Sequence, residues 1–230
     1  MTAPLRLADA READGFAAFL ARLLRWDKAA VVRLRASDTV LAVFGQPPFG
    51  GGVLAVRTAE LEASAGDLDA TVSAGQLLDG IDETAGTVTV PAAVTGPAWA
   101  GLLPPRGGWE RVEGLPPAED VRAVAAAAVT EFRHRSEALV PELRTRAELD
   151  AIADDIWSRR LGATGLPLRA VHAAHALGFL HPVRATVPAP RAAEQPAVLL
   201  LAAGPWLRLR TPYGSVAVRR GGPGLSVSPV

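Results

Sequence analysis

The 230 residues carry 24 basic and 24 acidic side chains, are 49% apolar and contain no cysteine. That length and apolar content can bury a core without staples, and the missing thiols exclude disulfides, thiolate nucleophiles and thiolate metal sites. The zero net charge hides a polarity: residues 156–230 hold nine arginines and one acid, a net of +8, while residues 1–155 hold fifteen basic and 23 acidic side chains. Such a chain can dock its ends on each other, pair with a second copy, or show a basic face to an acidic partner. Asparagine is absent and Lys28 is the single lysine, the residue usage of a G+C-rich genome. The choice of Arg over Lys therefore says little, but the clustering of the arginines needs a reason.

Asp9 and Glu12 have the spacing of a capping box. Ala13, Phe16, Leu20, Leu23 and Leu24 follow at helical spacing, which predicts an amphipathic helix over residues 9–26. Residues 30–36, 39–45 and 53–61 read as strands, joined by a tight Ser37-Asp38 turn and by the glycine-rich loop 45–52. Ser73 and Gln76 open a short helix that reaches Ile81. Residues 87–90 read as a strand ended by Pro91. Residues 92–116, rich in Pro, Gly and Trp, form a strap with a short strand at 109–112.

Three helices come next, over residues 118–139, 146–160 and 167–180. The second has a Thr145/Glu148 capping box, and the third has Pro167 in its first turn. Residues 182–196 are a Pro/Ala linker and 221–230 a frayed tail. Between them lie a strand at 197–203 and a hairpin of 206–210 with 215–220. Its turn, Thr211-Pro212-Tyr213-Gly214, has Pro second and Gly fourth, as a type I turn prefers. The fold class is α+β: an N-terminal helix with an antiparallel meander, then a three-helix block closed by a C-terminal β-hairpin. Residues 1–115 make the sheet part and 116–230 the helical part, with one continuous domain as the alternative.

The hairpin is the best-specified element. Pairing Leu209 with Val216 and Leu207 with Val218 sets all four on one face. Trp206, Arg208, Arg210 and Arg219 then share the other, with Arg220 beside them. Arginines next to an aromatic on a sheet can grip an acidic helix or phosphates and bases, or can simply guard a solvated face against aggregation. Helix, turn, helix and hairpin is also a winged-helix order. Against that, residues 166–180 offer Arg169 and two histidines but no Asn, Gln or Lys to read base edges.

His172, His175 and His181 are weak candidates for a metal, since no acid on the helix orients their rings and no HExxH is present. His175 falls on the stripe of Leu168, Val171 and Phe179 and reads as a core or interface histidine. Gly50-Gly51-Gly52 lacks the Lys and Ser/Thr of a phosphate loop, and no nucleophile elbow occurs. No catalytic residue is assigned and no cofactor is expected. The N-terminus lacks an apolar signal core, and the longest apolar run is far short of the roughly 20 residues of a spanning helix. The expectation is a cytoplasmic, non-enzymatic protein working through protein–protein contact, by self-association or by an acidic partner on Arg208, Arg210, Arg219 and Arg220. The alternatives are a nucleic-acid-binding regulator and an enzyme with a site between the two parts.

Overall fold

The computed structural model describes residues 4–94, 103–182 and 198–220. In chain order, β1 (Leu5–Arg6) leads into α1 (Arg11–Trp26) and the meander β2 (Val31–Ser37), β3 (Val40–Gly45), β4 (Leu54–Glu60) and β5 (Leu68–Ser73). The helix α2 (Ala74–Asp79) and the short strands β6 (Ile81–Asp82), β7 (Thr87–Val88) and β8 (Glu110–Arg111) follow. Three helices, α3 (Ala118–Glu137), α4 (Arg146–Ser158) and α5 (Leu168–Ala176), precede β9 (Leu199–Ala203), β10 (Trp206–Thr211) and β11 (Gly214–Arg219). The α+β class and the closing hairpin stand as expected. The predicted linker 182–196, the tail 221–230 and Trp99 lie almost wholly outside the described residues.

Eight strands form one antiparallel sheet in the order β5-β2-β3-β4-β11-β10-β9-β8. The two halves of the chain meet in its middle, where β11 pairs with β4 and Val216 lies opposite Ala55. A second sheet of three strands, β1-β7-β6, sits at the start of α1. The hairpin register is the one the pattern dictates: Leu207 opposite Val218 and Leu209 opposite Val216.

All the core side chains of α1 and α5 lie over one face of the large sheet. Phe16, Phe19 and Leu20 of α1 and Val171 and Ala174 of α5 join Leu34, Leu41, Val216 and Leu209 in one apolar cluster. Burying each large member stabilises the fold by about 2 kcal/mol. The helices α3 and α4 pack on α5 and supply Val121, Ala125, Ile152 and Ile156 to the same core. Four charges stitch them together. Arg159 takes both oxygens of Glu131, and Asp155 accepts from both Arg159 (2.8 Å) and Arg135 (2.5 Å).

Three local expectations are revised. The strand β5 is absent from the sequence reading because LDATVS alternates three polar residues with only Leu68, Ala70 and Val72, and its Asp69 pairs with Arg33 (2.6 Å). The Asp9/Glu12 box does not form. The helix starts without a side-chain cap, Asp9 accepts from the Arg11 backbone and guanidinium, and Glu12 reaches Arg57 instead. The caps at Ser73 and Thr145 do form, each accepting from the backbone N–H three residues on. Finally, α5 stops at Ala176 rather than near 180. Gly178 at φ 74° reverses the chain, and the Phe179 and Gly178 N–H groups donate to Ala174 and His175 carbonyls in a Schellman turn. That turn sends Phe179 back into the core beside Phe19, with ring centroids 5.8 Å apart.

Candidate functional site

The uncovered face of the large sheet carries the arginines. Alternation along β10 and β11 puts Trp206, Arg208 and Arg210 on it with Ser215, Ala217 and Arg219. The register extends the face across Val56 and Thr58 of β4, Ala42 and Phe44 of β3, and Arg33 and Arg35 of β2. Among the described residues no helix contributes buried side chains to this face. A strap does so in part: Leu103 and Trp109 pack on Leu54, Ala217 and Trp206 in a small second cluster. Trp206 is only 6% exposed, so its indole is covered by the chain itself rather than offered to solvent. The strap folds on itself there, since Trp109 Nε1 donates to the Pro105 carbonyl at 3.0 Å.

Arg208 is the most constrained of the cations. Its Nε donates to Ser215 Oγ at 2.8 Å, and its guanidinium lies over the Trp109 ring, 5.6 Å from the centroid. Burial lowers its pKa, and the like charge of Arg210 adds to this. No carboxylate among the described residues lies within ion-pair distance of Arg208, Arg210, Arg219 or Arg220. The described C-terminal arginines that are paired, Arg159 and Arg169, use Glu131, Asp155 and Asp154 of the helical block. The acids of residues 1–115 thus leave the hairpin arginines alone.

At the far side of the same face one acid serves two arginines. Asp69 holds Arg33 through both oxygens, and that hydrogen bonding keeps the Asp69 carboxyl below its usual range. Arg35 Nε is 3.3 Å from Asp69 Oδ2 but out of line for a hydrogen bond, so this buried N–H is unpaired.

The three histidines do not converge. His172 stacks on Trp157 (4.3 Å between centroids) and meets the Phe49 edge at 4.6 Å. Its Nδ1 is buried without a partner, and burial pushes its pKa down to about 4. His175 is exposed in the last turn of α5, not in the core as its stripe position suggested, because the Schellman turn ends the helix there. His181 lies beyond that turn. Among the described residues no group of three His, Asp or Glu side chains could hold a metal ion.

A cleft between the halves was the other candidate. It is bounded by α1, the end of α5 and the hairpin turn, and four of its charges are paired, Arg11 with Asp9 and Arg57 with Glu12. Arg57 is buried on the helix-covered face of β4, donates to Glu12 Oε2 at 2.6 Å and donates to the Tyr213 carbonyl. It ties α1 to the hairpin turn, and a Cβ at Gly15 would collide with its guanidinium. Sequence reasoning missed this pair. The one available signal was a lone Arg at an inward position of a strand.

No helix among the described residues is long and apolar enough to cross a membrane. No curated protein and no solved structure matches the chain. Residues 1–101 match the family described as Domain of unknown function (DUF8010), and these supply β1 to β7 with α1 and α2. Residues 104–223 match Domain of unknown function (DUF8185), which supplies the strap's second half, the three later helices and β8 to β11. Since that second match spans more than half of the chain, the protein belongs to the DUF8185 family.

Proposed function

We propose that this is a non-enzymatic protein that works through protein–protein contact, with an acidic partner docking on the basic hairpin at Arg208, Arg210, Arg219 and Arg220. One observation carries the reading: among the described residues these four cations have no acidic partner, although the chain holds as many acids as bases. Unpaired like charges on one face repel each other and create a field that steers an opposite surface onto them. Self-association is the variant in which the acidic first half of a second copy supplies that surface. The reading sets the protein in the cytoplasm, and the cysteine-free composition supports it.

Nucleic acid is the second reading, favoured by the stacking of Arg208 on Trp109 on an open sheet face. Burial weighs against its winged-helix form. Leu168, Ala170, Val171, Ala173 and Ala174 spend α5 on the core, which leaves little of that helix for a groove.

The test is retention on immobilised polyglutamate, together with sizing and duplex and single-strand gel shifts, at low and high salt. The expected result is salt-sensitive retention, or a salt-sensitive dimer, that a triple variant Arg210→Glu/Arg219→Glu/Arg220→Glu loses. A monomer at both salts with no retention would overturn the proposal. A gel shift that weakens steeply with salt, without retention on polyglutamate, would transfer the site to the second reading.

A further inference from the structure

Between the strap and the uncovered sheet face lies a groove of about 220 Å³, and its lining is chemically one-sided. Its floor is apolar, made by Ala42, Phe44 and Val56 of two neighbouring strands. Three guanidinium groups from three separate elements line it: Arg35 of β2, Arg208 of β10 and Arg106 of the strap. No acid is among its lining residues. We propose that this groove is a binding site for a small organic anion, an apolar body carrying one carboxylate or phosphate.

Two of the three cations have no acidic partner among the described residues, and the third, Arg35, shares its acid with another arginine. Arg106 makes one long hydrogen bond, 3.4 Å to Ser37 Oγ. Arg35 Nε lies 3.3 Å from Asp69 Oδ2, but Arg33 engages both oxygens of that carboxylate, so one acid is divided between two guanidinium groups. Arg208 is fixed at Nε by Ser215 and at its face by Trp109, and its two terminal nitrogens have no hydrogen-bond partner among the described residues. A planar fork already locked in place, with its outer donors free, suits a carboxylate or phosphate, because little side-chain entropy remains to be lost on binding.

Three like charges around an apolar floor are costly when empty, and an entering anion relieves that repulsion in a partly dehydrated site. Inorganic anions would use the arginines and leave the floor wet. An apolar body covers Phe44 and Val56 as well, so the lining selects for an amphipathic ligand. Size narrows it further. Pockets for drug-sized molecules run from about 300 Å³ upward, so this one suits a ligand of roughly a dozen non-hydrogen atoms.

This site shares Arg208 with the proposed docking surface, but the exposed Arg210, Arg219 and Arg220 lie outside its lining. Calorimetric titration of the full chain with 2-naphthoate, 2-naphthyl phosphate, 2-naphthamide and inorganic phosphate tests it. The expected result is that one or both naphthyl anions bind, while neutral 2-naphthamide and inorganic phosphate bind about tenfold more weakly or less. The stronger of the two anions identifies the head group. Arg208→Gln is expected to weaken the anion about tenfold or more. Thr58→Trp is expected to abolish binding, since Thr58 is exposed at the groove wall and a large ring there occupies the space without disturbing the core. Arg219→Gln/Arg220→Gln, which keeps Arg210 beside Arg208 and changes no lining residue, is expected to bind the anion within about threefold of the parent, because exposed charges outside the groove are largely screened. Equal binding of naphthoate and naphthamide, no binding of either naphthyl anion, or parent-like binding by a Thr58→Trp chain with an unchanged melting curve would each overturn the proposal. Retention on polyglutamate in that event would leave partner docking standing.

Discussion

Leu34, Leu41, Leu209 and Val216 face α1 and α5 across one side of the large sheet and are sealed from water. On the other side of the same strands, Arg35, Thr58, Arg208 and Arg210 have only a strap for cover. The helical side holds the main core, and the strap side, with only a small apolar cluster, has room to carry charge. Two polar exceptions on the helical side, Arg57 and His172, show what a charge or an imidazole costs under that cover.

The contrast can be broken first with a cavity. Phe19→Ala empties a site that is 1% exposed, against Phe179, and is expected to cost about 4 kcal/mol. Val40→Ala on the opposite face, where Val40 is 48% exposed, is expected to change stability by about 0.5 kcal/mol or less. Urea titration of both variants measures the difference, and equal losses would erase the distinction between the faces.

His172 sharpens it through pH. Its pKa of about 4 in the folded chain lies below the ordinary 6.5, because burial between Trp157 and Phe49 disfavours the cation and His175 adds like charge. The unfolded chain therefore binds a proton more readily, and His172's contribution is intact above pH 6.5. It is lost as pH falls toward 4, by about 3 kcal/mol at most. Carboxylates such as Asp69 and Glu131 also lose favourable pairing in acid. The useful quantity is thus the difference between the parent and His172→Phe. Denaturant titrations between pH 7 and pH 4 are expected to show a shallower acid loss in the variant, and parallel profiles would remove the histidine from the account.

The smallest of the losses on the helical side is at Arg57. Glu12→Gln leaves a buried guanidinium with the Tyr213 carbonyl as its one strong partner. Because the Glu12 side chain is itself 38% exposed, the cost is expected to be about 2 kcal/mol rather than that of a fully buried pair. Arg57→Met, which removes the charge, is expected to cost less than Glu12→Gln in the same thermal melts. The reverse order would mean that Arg57 is held by its backbone contact alone.

What could be read from the chain follows the range of the interactions. The hairpin register was legible because alternation set it and Pro212 and Gly214 marked the turn, although Thr211 and Gly214 pair as the last rungs of the strands rather than as turn residues. Gly214 has a further duty: a Cβ there would sit 2.7 Å from the Phe179 ring. The caps at Ser73 and Thr145 were legible because both partners lie within one turn. Glu12 was misassigned to a local cap because its true partner, Arg57, is distant in sequence and becomes a neighbour only when β4 is laid under α1. His175 was placed inward by a stripe that assumed a longer helix, and Gly178 carried the missing signal. The basic face was visible as a charge count, but its groove was not. It needs β2, β10 and the strap in one place.

The joint between β4 and β11 has a consequence for the order of synthesis. Ser215 pairs with Val56, so the edge of β4 waits for a partner made roughly 160 residues later. At about 5–20 residues per second this edge stays open for about 10–30 s. Until then the meander and α1 form half a sheet with a row of unpaired backbone groups beside it, open to any passing strand. The last described strand to leave the ribosome is therefore the one that closes the first half, and until it arrives the nascent chain is most exposed to mispairing.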